Sequence, residues 1–226
     1  MSWKILLGVW MTAVIILSLS LPMSTHPQYW YELPTIPGLE EKARIMFFHV
    51  PTAWLAALAF VLSMAYGIRY LRKKNASDDV KSASAAGLGL LFCILATVTG
   101  AIWARFSWGT FWNWDPRQTS IFVLLLIYGA YFALRSAVEI EEKRAALSAV
   151  YSIIAAVTMP FFMFIMPRIL ASLHPDPILN VQGKVHMNPT MLVLFLASLA
   201  GFTGLFFWMW NLHVRTSNLE TQQPRS

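Results

Sequence analysis

The distribution of apolar residues constrains this chain more than any other feature of its sequence. Six segments of about 20 residues consist almost entirely of apolar side chains, and each is long enough to cross a hydrocarbon core of roughly 30 Å. They cover residues 5–21, 45–66, 85–103, 120–137, 147–166 and 191–210. With 57% hydrophobic and 12% charged residues in 226, the chain has more apolar surface than a water-soluble core could bury. We therefore predict an all-α polytopic membrane protein with about six transmembrane helices.

The apolar segments leave only short connections, so residues 1–217 are expected to form a single membrane domain. The polar end, residues 218–226, is predicted to be a disordered cytoplasmic tail. An alternative exists for the first segment, because Lys4 precedes it and Ser18-Leu19-Ser20 resembles the cleavage site of a secretory signal. The length of the segment favours a retained membrane span.

The basic residues predict the orientation, since lysine and arginine are enriched in cytoplasmic connections. A topology with both termini in the cytoplasm places 11 of the 17 basic residues on that side. These are Lys4, Arg69, Arg72, Lys73, Lys74, Lys81, Arg135, Lys143, Arg144, Arg215 and Arg225. The formal charge of +6 then follows from topology, and no nucleic-acid partner is expected.

The connection 105–119, on the predicted outer side, is rich in aromatic residues. Trp108, Phe111, Trp112 and Trp114 fall within seven positions. If this piece is helical, Trp108 and Trp112 share a face and form a rigid apolar platform for a flat aromatic ligand. An interfacial aromatic belt, which is common at both edges of membrane proteins, explains the same composition equally well.

Asp115 has two possible roles at the end of this loop. Asp115-Pro116-Arg117-Gln118 matches a helix N-cap, a proline at the first helical position and an acceptor three residues after the cap. Capping of the fourth span is the favoured interpretation, with direct contact to a ligand as the alternative. Arg117 is positioned to pair with Asp115 or to meet a ligand carboxylate.

Histidines in two other outer connections are candidate metal ligands. His49 lies at the outer end of the second span and His174 just past the fifth, on the same predicted side as the tryptophan loop. Neutral imidazoles from two helices above an apolar platform are what six-coordinate iron in a porphyrin needs, although a single interfacial histidine is more often an anchor. His186 is a reserve for His174. Arg44, at the same membrane edge as His49, is a candidate partner for a haem propionate.

Other kinds of site find little support in the sequence. The single cysteine, Cys93, lies within the third span, where it fits a helix interface and cannot provide a Cys-x-x-Cys-His haem attachment site. No further metal site, catalytic residue or phosphate-binding glycine loop is expected, so a nucleotide-driven step would need another subunit.

The sequence resembles the WWD-domain family of haem-handling membrane proteins. The motif Trp-Gly-x-x-Trp-x-Trp-Asp is complete at Trp108, Gly109, Trp112, Trp114 and Asp115. Two further segments, Arg44-Ile45-Met46-Phe47-Phe48-His49-Val50-Pro51 and Ser172-Leu173-His174-Pro175, are similar to the family's two histidine segments.

The resemblance implies a bacterial cytoplasmic-membrane protein of System I cytochrome c maturation, with a periplasmic site for non-covalent haem b. His49 and His174 are then the axial ligands, and the tryptophan loop holds the edge of the macrocycle. The implied partners are the chaperone CcmE, which receives the haem, the small protein CcmD and the transporter subunits CcmA and CcmB. The implied role is haem transfer without enzymatic activity; the alternatives are a cytochrome c haem lyase of the CcsA type and the permease subunit of a haem transporter.

Overall fold

The structure is a computed structural model that describes residues 2–175 and 187–222, with side chains in the last helix up to Leu219. Its helices are α1 (Ser2–Ser20), α2 (Met46–Lys73), α3 (Ala76–Trp108), α4 (Pro116–Ala137), α5 (Glu141–Pro160), α6 (Met166–Ile169) and α7 (Pro189–Gln222). A 3-10 turn, Glu40–Ile45, precedes α2, and a π-helical turn, Phe161–Ile165, joins α5 to α6. Two short parallel strands, β1 (Met23–Ser24) and β2 (Leu33–Pro34), pair between α1 and α2.

Six helical segments among the described residues are long and apolar enough to cross a membrane, which confirms the predicted all-α polytopic fold. The helices extend beyond the apolar segments on which the prediction was based. The third helix, predicted at 85–103, spans Ala76–Trp108. The Asn75 side chain caps its start by accepting a hydrogen bond from the Ser77 amide, and Gly109 ends it by adopting a φ of 84°. The last helix continues to Gln222, past the predicted domain boundary at 217.

Helix α2 lies at the centre of the bundle and packs against α3, α5 and α7. Its Phe60 ring stacks on Tyr128 of α4 with the ring centroids 3.4 Å apart. Helix α3 also packs closely against this ring, since a Cβ atom at Gly89 would overlap Phe60. Cys93 is fully buried in this cluster, as expected for a small apolar residue at a helix interface.

The final turns of the fifth span direct the chain towards the bundle end where α1 finishes and α7 begins. Pro160 ends α5, and the π-helical turn Phe161–Ile165 widens the helix before the short α6. Such a wide turn changes the direction of the residues that follow it. The chain then leaves helical structure at Leu170 and runs through Ser172 to Pro175.

Candidate functional site

Three connections meet at one end of the bundle, which we call the loop end: residues 21–45, 109–115 and 170–175. The indole N–H of Trp103 donates to the Lys42 carbonyl at 3.2 Å, joining the first connection to α3. The Ser172 hydroxyl donates to the Asp115 carboxylate at 2.9 Å, joining the other two. The three connections therefore lie together at one end of the bundle, as expected for connections on one side of a membrane.

His49 lies in the first turn of α2 and faces α3. Its Nδ1 is 2.9 Å from the hydroxyl oxygen of Thr99, and that hydroxyl donates its own proton to the Leu95 carbonyl at 2.7 Å. Since the hydroxyl proton is used in that bond, Thr99 acts as an acceptor and His49 Nδ1 is the donor. The lone pair of the neutral imidazole is then on Nε2. Gly100 gives the ring space, because a Cβ atom there would lie 2.9 Å from His49 Cε1.

His174 is held by the start of α4. Its Nδ1 lies 3.2 Å from Oδ1 of Asp115, and its backbone amide donates to the Ser172 hydroxyl at 3.1 Å. Burial lowers the pKa of His174 to about 4; the charge of Arg117 acts in the same direction and that of Asp115 opposes it. The imidazole is therefore neutral at physiological pH. With Nδ1 donating to the carboxylate, its lone pair is on Nε2.

Asp115 has both a structural and a site role. It caps α4 by accepting the Arg117 amide at 2.9 Å, which confirms the predicted cap, and it also accepts the Leu173 amide at 2.7 Å. Burial raises the pKa of this carboxyl, but the hydrogen bonds from Arg117, Leu173 and Ser172 outweigh that effect and lower it below its ordinary value. The carboxylate is thus ionised and orients His174, a role that the local sequence pattern does not reveal.

Two tryptophans pack against His174. The Trp108 ring meets the imidazole edge to face at 4.8 Å, and the Trp103 ring lies 5.6 Å away at a 32° tilt. A cavity of about 330 Å³ lies between these rings, His174 and the loop segment 36–39. Such a volume is within the range of small-molecule sites. Trp103 was not among the predicted site residues; its sequence signal is a position at the end of the third apolar segment that leads into the tryptophan loop.

The second half of the tryptophan motif forms a separate group. The chain is not helical between Gly109 and Asp115, so the expectation that Trp108 and Trp112 share a helix face is wrong. Trp112 and Trp114 instead pack edge to face, with centroids 5.7 Å apart, and both meet Phe122 of α4 at 6.2 Å. Trp114 is 66% exposed and adopts a φ of 55°.

The loop between Gly109 and Asp115 is fixed by Gln118, the residue predicted to complete the cap. Its side-chain oxygen accepts the Asn113 amide at 2.8 Å, and its amide nitrogen donates to the Phe111 carbonyl at 3.1 Å. Gln118 is 6% exposed. The side chain therefore reaches back to the loop, and it determines where Trp112 and Trp114 are presented.

The two candidate arginines have different positions. The guanidinium of Arg44 donates to the Ser18 and Leu21 carbonyls at 2.9 and 2.8 Å and also pairs with Glu41, so it holds the end of α1. The positive charge of Arg117 acts on the His174 imidazole, whose pKa it helps to lower. His186, the reserve ligand, lies outside the described residues.

Comparison with known proteins identifies the family. A model of the CcmC family, described as heme exporter protein C, matches residues 3–226. The chain belongs to this family. The Heme exporter protein C of Bradyrhizobium diazoefficiens is 32% identical over 163 residues, which are 72% of this chain and 62% of that protein. The protein of the same name from Rhodobacter capsulatus is 30% identical over 173 residues, or 76% and 72% of the two chains.

A third relative comes from a plant. The "Putative cytochrome c biosynthesis ccmC-like mitochondrial protein" of Marchantia polymorpha is 30% identical over 168 residues, which cover 74% of this chain and 71% of the relative. Relatives with this family name thus include bacterial proteins and one named as mitochondrial. In this chain the described residues contain six candidate membrane spans.

Proposed function

We propose that this chain binds haem b non-covalently at the loop end, with His49 and His174 as axial ligands, and delivers it for cytochrome c maturation. One observation carries the proposal: each of these histidines has its Nδ1 engaged by a neighbour, Thr99 or Asp115. Each neutral ring therefore has its lone pair on Nε2, the nitrogen that is available to iron.

The surroundings of the histidine pair suit a porphyrin. Trp103 and Trp108 offer apolar ring surface next to His174, and flat aromatic groups pack well against such rings. The positive charge of Arg117 acts on His174, and we assign to this guanidinium the contact with a propionate. The single cysteine is buried in α3, which agrees with haem held only by coordination and packing.

We propose a periplasmic position for the loop end, in the bacterial cytoplasmic membrane with both termini inside. Relatives named for heme export and for cytochrome c biosynthesis support this setting. The receiver of the haem is then the periplasmic chaperone CcmE, and the chain acts with CcmD and with the transporter subunits CcmA and CcmB. Its role is transfer of an intact cofactor, without a covalent or catalytic step of its own.

Haem titration of the detergent-purified protein tests the binding proposal. The wild type is expected to give a Soret band and a low-spin spectrum, as iron with two imidazole ligands does. His49→Ala and His174→Ala each remove one ligand, so each should weaken binding and change the spin state, and the double variant should lose the specific spectrum. His213→Ala, at the opposite end of α7, is the matched control and is expected to match the wild type.

A Soret band that is unchanged in the double variant would contradict ligation by these histidines. The delivery step is tested separately by mixing the haem-loaded protein with purified CcmE in detergent and following the haem in the separated proteins. Haem that stays entirely with this chain, while ligation by His49 and His174 is intact, would contradict delivery and leave the binding proposal standing.

A further inference from the structure

The structure gives His49 and His174 chemically different partners. Nδ1 of His174 donates to a carboxylate, that of Asp115, whose side chain is 1% exposed. Nδ1 of His49 donates to a hydroxyl, that of Thr99. From this difference, and on the basis of the proposed haem ligation, we infer that the two axial ligands are unequal: Asp115 makes His174 the strong ligand, and Thr99 leaves His49 the weak one.

The argument for His174 rests on charge. A hydrogen bond to an ionised acceptor is roughly twice as strong as one between neutral groups. A carboxylate that accepts the Nδ1 proton draws that proton towards itself and makes Nε2 a better electron donor to a metal. Two amides and one hydroxyl keep the Asp115 carboxylate ionised and in place, because they donate to it from Arg117, Leu173 and Ser172.

Thr99, the partner of His49, cannot strengthen its histidine as a donor in this way. Thr99 is a neutral acceptor whose own hydroxyl proton is donated to the Leu95 carbonyl at 2.7 Å, and the Ala96 carbonyl lies 3.2 Å from the same hydroxyl oxygen. It fixes the tautomer and direction of His49, and Gly100 leaves the ring its space. It adds no negative charge. Thr99 is thus a positioning residue, whereas Asp115 both positions its histidine and changes its donor strength.

The inequality gives an order to haem release. When iron leaves such a pair, the bond to the weaker donor breaks first, so the haem separates from His49 while His174 still holds it. His174 also lines the 330 Å³ cavity between Trp103, Trp108 and the segment 36–39, whereas His49 does not. The haem thus remains attached on the side where the cavity and the tryptophan rings lie.

The experiment compares Asp115→Asn with Thr99→Val in the full-length detergent-purified protein. Both substitutions are close to isosteric. Asparagine remains a good helix cap, so α4 keeps its start. The readouts are the affinities for ferric and ferrous haem and the midpoint potential of the bound haem. Thr99→Ser is the conservative control for Thr99, and Ser172→Ala loosens the same loop while leaving the Asp115 carboxylate beside His174.

We expect Asp115→Asn to lower the affinity for ferric haem about 10- to 100-fold, the usual effect of losing such an outer partner of a metal ligand. The affinity for ferrous haem should fall by less, so the midpoint potential moves to a more positive value. Thr99→Val should lower the affinity for haem only a few-fold in both oxidation states, since a neutral hydrogen bond is lost. Thr99→Ser should match the wild type, and Ser172→Ala should not shift the midpoint potential to a more positive value.

Two results would overturn the inference while leaving the proposed function intact. One is an equal effect of Asp115→Asn and Thr99→Val on the potential. The other is an equal loss of ferric and ferrous affinity in Asp115→Asn, which indicates that Asp115 only holds the loop. A wild-type protein that binds no haem, or binds it independently of His49 and His174, contradicts the proposed function itself.

Discussion

Gly100 of α3 faces the imidazole of His49 so closely that a Cβ atom at Gly100 would lie 2.9 Å from Cε1 of the ring. Real Cβ atoms are not found at such a distance from a neighbour, so the absence of a side chain at position 100 is what allows His49 to lie against α3. The hydrogen bond from Nδ1 to Thr99, one residue earlier in the same helix, depends on this close approach.

Gly100→Ala is therefore expected to displace His49 and break its bond to Thr99. The low-spin signal of two imidazole ligands should be lost on haem titration, although the helix itself gains propensity from alanine. Gly129→Ala in α4 is the control, because no atom of another element lies within 4 Å of a Cβ built there. Loss of the low-spin signal in Gly100→Ala, together with a wild-type spectrum in Gly129→Ala, supports the packing argument. The same spectrum in both variants contradicts it.

The tryptophan motif is expected to act in two separate parts. Trp108 packs on His174, whereas Trp114 is 66% exposed and packs on Trp112 and Phe122. Trp108→Ala should lower haem affinity about three- to tenfold, since an aromatic contact contributes about 0.5–1.5 kcal/mol beyond the area it buries. Trp114→Ala should leave the affinity unchanged. Equal losses in the two variants, measured by haem titration, would indicate a single platform.

The fold was predictable because membrane spans are marked by local composition. All six apolar segments are helices in the structure, and errors occur only at their ends. Hydropathy ends a span at its first charged residues, whereas backbone hydrogen bonding continues a helix through them. Helix α3 accordingly begins at Ala76, where Asn75 caps it, nine residues before the apolar segment.

The candidate site was predictable only where its signals are local. The cap at Asp115 follows from four consecutive residues. Its bond to His174 joins positions 59 apart, and the bond of His49 to Thr99 joins positions 50 apart. Such pairs depend on how the helices pack, which no local pattern encodes. The same holds for Trp103, whose contact with His174 requires the chain to turn back after α6.

The other end of the bundle contains a buried ion pair that should matter for stability. Arg135 of α4 donates to both carboxylate oxygens of Asp79 in α3, at 2.7 and 2.9 Å, and both side chains are mostly buried. Asp79→Leu alone should destabilise the fold by roughly 3 kcal/mol, because the Arg135 charge is left buried without its partner. Thermal unfolding in detergent measures the effect.

The double variant Asp79→Leu, Arg135→Met should recover most of that loss, since an apolar pair of similar volume needs no compensating charge. Glu141→Ala is the control, because Glu141 pairs with Arg144 at 3.8 Å on the exposed surface and should change stability by less than about 1 kcal/mol. A double variant that is less stable than Asp79→Leu would show that the pair itself stabilises the fold.

Arg44 should contribute to stability without affecting haem. Its guanidinium bonds the Ser18 and Leu21 carbonyls at the end of α1, where backbone acceptors have no helical partner. Arg44→Gln is expected to lower the stability of the protein by about 1.5–3 kcal/mol, the range for hydrogen bonds that involve a charged group. Haem affinity at a temperature well below unfolding should match the wild type; a selective loss of affinity would place Arg44 at the haem.

Arg117 should show the opposite behaviour, because its charge acts on His174. Arg117→Gln is expected to lower the affinity for haem about tenfold, through the loss of one charge-assisted bond to a propionate. The dimethyl ester of haem has no propionate charge, so it should bind the wild type and Arg117→Gln equally well. If the ester also binds the variant less tightly than the wild type, Arg117 acts by holding the histidine pair in place, and the propionate contact is contradicted.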